Sequence, residues 1–234
     1  MKRKIITTAD GSKTIYLPEW EEHYHSKHGA IQEAYHVFIK HGLKHFYHSI
    51  RPSKVSILEI GFGTGLNAII TLIESEKIDL KVEYHGIEAY PIEKHEIAAL
   101  NYTEELSAMD HQEPFLKMHE VSWEQLKDIT SNFSLIKRNQ FFLDINDKEQ
   151  HHLIYFDAFG ARVQPELWTE TIFQKMYEAL KPRGVLVTYA AKGSVRRAMQ
   201  AVGFAVERLP GPPGKREMLR ATKTGAQHSE TPKK

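Results

Sequence analysis

The run Ile57-Leu-Glu-Ile-Gly-Phe-Gly-Thr-Gly-Leu66 constrains this chain more than any other segment, because an apolar strand feeds a glycine-rich turn and the turn feeds a helix. Val55, Ile57, Leu58 and Ile60 have the near-continuous apolar character of a strand buried on both faces of a parallel sheet. Gly61, Gly63 and Gly65 let backbone approach a ligand where a Cβ would clash, with Phe62 and Thr64 between them. Asn67 to Ile73 continues as a helix whose free N–H groups point at the ligand. Such a turn is suited to a nucleotide-like cofactor; the alternative is a tight strand-to-helix turn that holds no ligand.

The spacing separates cofactor classes. A dinucleotide fingerprint G-x-G-x-x-G needs glycine at position 66, which is Leu66, so a nicotinamide oxidoreductase is the last of the readings. Glu59 stands two residues before Gly61, and the resulting E-x-G-x-G-x-G resembles the first motif of Rossmann-type S-adenosylmethionine methyltransferases. A strand and a helix later, Val82-Glu-Tyr-His-Gly-Ile-Glu88 reads as a second strand ending in an acid. Glu88 at that tip can accept both hydroxyls of a ribose, since doubly wound sheets bind ligands beyond the carboxyl ends of their strands.

Length allows one well-buried α/β domain with some decoration. A net charge of +1 with 26% charged residues announces no global basic field, which neither supports nor excludes RNA. With no cysteine there are no disulfides, thiolate metal sites or cysteine nucleophiles, and a reducing cytoplasm fits. Neither a signal-peptide run nor a membrane-length segment is visible, so the expectation is a soluble cytoplasmic protein with no membrane partner.

Residues 1–51 stand outside the βα alternation. Asp10-Gly11 between two β-prone runs predicts a hairpin. Ile31, Ala34, Tyr35, Phe38 and Ile39, then Leu43, Phe46 and Ile50, predict one or two amphipathic helices that pack on the sheet or cap the site. Beyond Glu88, Pro91 to Leu106 reads as one helix, Phe133 to Ile136 and Gln140 to Ile145 as β-like, and His152 to Asp157 as a buried strand ending in an acid. Leu167 to Leu180 predicts a helix, Gly184 to Ala190 a strand, and Ser194 an N-cap for a helix through Val202. Phe204 to Leu209 and Arg216 to Ala221 flank Pro210-Gly-Pro-Pro-Gly214 as a terminal antiparallel hairpin. The expected division is an N-terminal hairpin and helical extension (1–51), a Rossmann-like α/β domain with a mostly parallel doubly wound sheet (52–222), and a disordered tail (223–234).

Asp157-Ala-Phe-Gly160 with Gln164-Pro-Glu-Leu-Trp168 is the second constellation. Methyl transfer to nitrogen needs a neutral amine lone pair in line with the methyl group, so positioning and desolvation are what a protein can add. Asp157 can orient the amine or take its proton; the alternative is a carboxylate capping the next turn. Phe159 and Trp168 can wall a base or a cationic methyl, although core packing accounts for Trp168 nearly as well. Half of the fourteen histidines lie between His23 and His48, yet they lack a recognised ligand geometry, and no metal is expected.

Several segments together resemble one family: Thr8-Ala-Asp-Gly-Ser12, Glu22-His-Tyr-His-Ser26, Gly29-Ala-Ile-Gln-Glu33, Leu58 to Asn67, Tyr155 to Phe159 with Gln164 to Trp168, and Lys215-Arg-Glu-Met218. The family is the MnmC-like methyltransferases of tRNA wobble-uridine modification, and the likeness covers nearly all of the chain except its tail. It implies the class I methyltransferase fold, S-adenosylmethionine as cofactor with S-adenosylhomocysteine as product, and methylation of 5-aminomethyl-2-thiouridine to the 5-methylaminomethyl form in tRNA. The sequence ends where a fused flavin oxidase would begin, which implies a stand-alone methyltransferase without FAD, supplied by a separate upstream enzyme.

Carried across by the likeness, Glu59, Gly61, Phe62, Gly63, Thr64, Gly65 and Asn67 fall on the cofactor loop, Glu88 on the ribose, and Asp157 and Phe159 on the catalytic side. Tyr24, Ser26 and Glu33 fall on an N-terminal motif expected over the methionine end of the cofactor or the amine. Where a Gly-Asp pair would meet the adenine the chain has Gln140-Phe141, with Asp144 as the nearest acid. Gln164 and Trp168, with Lys192, Arg196, Arg197, Lys215 and Arg216, are the residues expected on the substrate and RNA side, the cations as phosphate contacts. Two other functions share these parts: an amine methyltransferase acting on a small molecule or protein, and a cofactor-binding protein without catalysis.

Overall fold

The computed structural model describes residues 2–225. Strands β1 (Lys4–Thr7) and β2 (Lys13–Leu17) pair antiparallel across the expected Asp10-Gly11 turn, and β2 also carries the short β3 (Glu22–His23). Asp10 Oδ1 accepts the Thr8 and Ser12 hydroxyls at 2.7 and 2.5 Å. Its Oδ2 accepts the Gln32 amide at 3.0 Å, which fastens the turn to the following helix. Residues 30–50 form one helical run: α1 (Ala30–Ala34), a π-helical stretch (Tyr35–Lys44) and α2 (His45–Ile50). Ala34, Phe38, Ile39, Leu43 and Phe46 are buried against the main sheet, as their spacing predicts, whereas Ile50 emerges into solvent.

The main sheet holds β4 (Lys54–Ile60), β5 (Lys81–Ile87), β6 (Lys127–Asp128), β7 (Phe133–Arg138), β8 (His151–Phe156), β9 (Leu180–Thr188), β10 (Phe204–Pro210) and β11 (Glu217–Lys223). Its order is β10-β11-β9-β8-β4-β5-β7-β6. Strands β9, β8, β4, β5 and β7 are parallel, and the β10–β11 hairpin closes one edge antiparallel to β9, as expected. Chain direction across the sheet reverses between β4 and β8, where a doubly wound sheet opens a crevice beyond its carboxyl ends. The 30–50 run, α3 (Leu66–Glu76) and α6 (Gln112–Glu120) cover one face; α7 (Glu170–Ala179) and α8 (Gly193–Ala201) cover the other.

Four local expectations are corrected. Pro91 to Leu106 is two helices, α4 (Lys94–Ala99) and α5 (Tyr102–Glu105), separated at Leu100, whose ψ of 147° is extended. That break delivers Asn101 to the N-terminal hairpin, where its Oδ1 accepts the Lys13 amide at 2.8 Å and its Nδ2 donates to the Gly11 carbonyl at 3.1 Å. Gln140 to Ile145 is not a strand but contains a 3-10 turn (Phe142–Asp144), in which the Asp144 amide donates to the Phe141 carbonyl at 3.0 Å in place of a ladder partner. The helix expected from Leu167 begins at Glu170 after a 3-10 turn (Pro165–Trp168), and Leu180 already belongs to β9. Ser194 does not cap α8, which starts at Gly193 with Lys192 in the cap position.

Lys223 ends β11 rather than opening a tail, and its Nζ donates to the Leu180 carbonyl at 2.7 Å. Thr224 and Gly225 have no regular structure, and the rest of the expected tail, 226–234, lies outside the described residues. Among the described residues, no helix is long and apolar enough to cross a membrane.

Candidate active site

A cavity of about 900 Å³ occupies the crevice beyond β4, β5 and β8. Each of these strands ends there in residues singled out by the sequence: Gly61 and Gly63 after β4, Glu88 after β5, and Asp157 with Phe159 after β8. Backbone bonds hold the three tips together. The Gly61 and Phe62 amides donate to the Ile87 carbonyl, and the Asp157 amide donates to that of Ile60 at 3.0 Å. Glu88 reaches back to the glycine turn, accepting the Gly63 amide at 3.0 Å on one oxygen and the Tyr90 amide at 2.9 Å on the other. Burial raises its pKa, and those backbone donors oppose the rise.

Asn67, in the first turn of α3, joins two carboxyl groups. Its Nδ2 donates to Glu59 Oε1 at 2.8 Å and to Asp157 Oδ2 at 2.9 Å. Glu59 is 1% exposed, and burial pushes its pKa well above the ordinary carboxylate range. Asp157 is pushed up to about 7, first by burial and then by the nearby Glu33 carboxylate, against the Asn67 hydrogen bond and the Lys215 charge. Glu59 Oε2 and Asn67 Oδ1 are buried with no hydrogen-bond partner within the protein. Replacing Asn67 with alanine strips the donor from both carboxyls and is expected to cost about 1–3 kcal/mol of folding stability, measured by urea denaturation. A change below about 0.5 kcal/mol would mean that the bridge contributes nothing.

The N-terminal extension supplies the opposite wall. Tyr24 and Trp20 each meet the Phe159 ring edge-on, with centroids 5.1 and 5.7 Å away. Arg3 donates to the Tyr90 and Pro91 carbonyls and to Glu96, tying β1 to the loop that follows Glu88. His25 also lines the cavity; its Nδ1 shares a hydrogen bond with the Thr14 hydroxyl at 2.9 Å, and burial pushes its pKa down to about 4. It is therefore neutral at physiological pH and braces the extension from within. Among the described residues, no group of three or more His, Cys, Asp or Glu side chains is arranged to hold a metal ion.

Other expected residues sit elsewhere. Thr64 is buried behind the turn, where its hydroxyl accepts from Tyr102 at 2.8 Å, and Gly65 packs against His119. Ser26 and Glu33 do not line the cavity; the Ser26 amide donates to Glu33 Oε1 at 3.2 Å. Asp144 is exposed and outside the cavity, whose wall in that segment is Phe141, Phe142 and Leu143. Trp168 is core: it packs on Phe156, and its indole N–H donates to the Phe159 carbonyl at 2.8 Å, so it sets the backbone of the aromatic wall without joining it. Gln164 does line the cavity. Lys215 is not free for phosphate, because its ammonium is paired with Glu33. Lys192, Arg197 and Arg216 are exposed, and Arg196 is half-buried. Arg3, Trp20, Tyr90 and Phe141 were not legible as site residues, since no spacing connects them to the strand tips.

A family model described as S-adenosyl-L-methionine-dependent methyltransferase matches residues 111–224. The tRNA 5-methylaminomethyl-2-thiouridine biosynthesis bifunctional protein MnmC of Hydrogenovibrio crunogenus is 27% identical over 230 residues, which cover 93% of this chain and 33% of that protein. The chain thus spans about a third of the length of the curated relatives it matches. Among solved structures, MNMC2 from Aquifex aeolicus superposes with a TM-score of 0.73 at 25% identity, covering 96% of this chain and 71% of that one. Spermidine synthase from Thermotoga maritima shares the fold, with a TM-score of 0.52 at 15% identity over 94% of this chain and 72% of that one. The chain is thus similar over nearly its whole length to MnmC proteins and to MNMC2, and an S-adenosyl-L-methionine-dependent methyltransferase model matches its residues 111–224.

Proposed function

We propose that this chain transfers a methyl group from S-adenosyl-L-methionine to the amine of 5-aminomethyl-2-thiouridine at the wobble position of tRNA, giving the 5-methylaminomethyl form. The observation that carries the reading is Asp157, held beside the glycine turn by Asn67 and raised to about 7. The cofactor fits the residues present. Asn67 Oδ1 is a buried acceptor without a donor, and Asn67 lines the cavity beside Glu59, which suits the ammonium at the methionine end. Glu88 retains lone pairs for a ribose beside the Gly63 amide it already accepts.

When bound, S-adenosyl-L-methionine supplies an electrophilic methyl carbon on a sulfonium. On binding there it would give its methyl carbon to the lone pair of the amine nitrogen, the electrons of the carbon–sulfur bond would pass to sulfur, and S-adenosylhomocysteine would be released. The new nitrogen–carbon bond creates an ammonium, and Asp157 takes its surplus proton. Trp20, Tyr24 and Phe159 offer ring faces and edges that exclude water and favour a cationic centre. Transfer consumes no electrons, so FAD has no part in this step, and the aminomethyl group must be formed at another active site.

The wobble base reaches this crevice from a splayed strand, with exposed cations on the same edge of the sheet contacting phosphate. Lys192 follows the carboxyl end of β9, and Arg216 precedes β11, whose Leu219 pairs with Thr188 at that end. We place the reaction in the cytoplasm, where tRNA is found.

Because Asp157 must be ionised to accept a proton and the amine must be neutral to attack, methyl transfer is expected to rise with pH in two steps, the lower one at about 7 from Asp157 and the higher one from the amine itself. A profile of kcat/KM against pH measures this; a profile without the lower step would remove Asp157 from proton transfer. The substrate class is tested with methyl-labelled cofactor and either intact wobble-aminomethylated tRNA or its nuclease digest. Labelling of the intact tRNA alone is expected, and equal labelling of the digest would favour a small-molecule amine instead.

A further inference from the structure

Glu33 and Lys215 lie outside the cavity, yet they are joined to one another across the molecule and act on the residue at its centre. Glu33 sits on α1 and is 6% exposed; its Oε1 accepts the Ser26 amide and its Oε2 pairs with the Lys215 ammonium. Lys215 belongs to the connection between β10 and β11, which stands beyond the carboxyl end of β9 because Leu219 pairs with Thr188. A second bond joins the same two regions, between His36 Nε2 and the Pro210 carbonyl at 2.8 Å. The Lys215 ammonium also lies 3.9 Å from the centroid of the Tyr189 ring. The Tyr189 hydroxyl in turn donates to the Ala158 carbonyl at 2.8 Å, one residue from Asp157.

We propose that the Glu33–Lys215 ion pair is a positioning device that sets the charge state of Asp157, with the two members acting in opposite senses and neither touching the substrate. The inference rests on the reading of Asp157 as the proton acceptor. The charged and titratable groups that act electrostatically on Asp157 come from several elements: Glu59 on β4, Tyr84 on β5, Glu33 on α1, Lys215 on the β10–β11 connection and Tyr189 after β9. Glu59 and the two phenols hold their protons more tightly than usual through burial, which leaves Glu33 and Lys215 as the pair that tunes the carboxyl. Glu33 raises the proton affinity of Asp157 and Lys215 lowers it. A proton acceptor works best with its pKa near the working pH. The pair keeps Asp157 there by balancing one buried negative charge with one positive charge.

The test titrates Asp157 directly, by carboxyl-carbon NMR of aspartate-labelled protein, with the signal assigned from its loss in Asp157→Asn. Glu33→Gln leaves Lys215 unopposed and is expected to lower the midpoint by about one pH unit; Lys215→Met leaves Glu33 unopposed and is expected to raise it by about as much. The double variant is expected to return towards the wild-type midpoint, and Lys215→Arg to remain close to it. Midpoints moving in the same direction in both single variants, or not moving while thermal stability falls, would overturn the proposal and leave the pair a structural tie. If one single variant fails to fold, the other against the double variant decides: a midpoint that moves in the single variant and returns towards wild type in the double variant supports charge control, and equal midpoints in the two contradict it. This readout requires no turnover, so failure of the methyl-transfer reading would appear separately, as absent activity in wild-type protein whose Asp157 still responds to the pair.

Discussion

Asp157→Ala is expected to lower kcat by about 100-fold or more while S-adenosylhomocysteine binds within a few-fold of its wild-type affinity. The reason is the division of labour at the strand tips. Gly61, Gly63, Glu88 and Asp157 all line the cavity with Phe159; in the proposed reaction the first three hold the cofactor, whereas Asp157 meets the amine. Loss of its carboxyl removes the proposed proton acceptor and one end of the Asn67 bridge but leaves Asn67 bound to Glu59. Single-turnover rates with calorimetric binding separate the two effects. Equal losses in binding and turnover would make Asp157 a cofactor ligand; unchanged turnover would remove it from the mechanism.

Gly61→Ala is expected to weaken cofactor binding and fold stability far more than Gly63→Ala, although both glycines belong to one turn. A Cβ at Gly61 would lie 2.8 Å from the Asp157 carbonyl oxygen, and the backbone there has φ of +91°. The obstructing atom is main chain at the tip of β8, so relief requires parting β4 from β8. The expected cost is about 3 kcal/mol from strain and displacement together. At Gly63 φ is +51°, inside the left-handed region that alanine enters for about 1–2 kcal/mol, and the nearest atom is the edge of the Tyr24 ring at 3.2 Å. Urea denaturation and S-adenosylhomocysteine titration of both variants measure the difference. Equal effects would mean that the strand contact does not hold the turn.

What could be read from the sequence follows from how locally each feature is encoded. The glycine turn, Glu88 and Asp157 are each fixed by an apolar strand immediately before them, and alternation with helices brings such tips to one edge. The Asp10-Gly11 hairpin was equally local, since one turn specifies it. The break at Leu100 was not legible, because its cause is Asn101 bonding to a hairpin nearly ninety residues away in sequence. Likewise Gln140 to Ile145 carries strand-like composition, but the segment closes on itself in a 3-10 turn instead of joining the sheet. Lys215 read as a free surface cation because nothing near it in sequence reveals that Glu33 is its partner. The wall formed by Trp20 and Tyr24 against Phe159 depends on the same long-range folding of the extension over the crevice.

Methyl transfer to the wobble amine is tested most directly by mass spectrometry of nucleosides from tRNA carrying 5-aminomethyl-2-thiouridine, after incubation with purified protein and S-adenosyl-L-methionine. This nucleoside is expected to gain the mass of one methyl group, and Asp157→Ala protein to leave it unchanged. If the nucleoside stays unmethylated although the cofactor binds and the tRNA is correctly modified, the wobble amine is not the substrate.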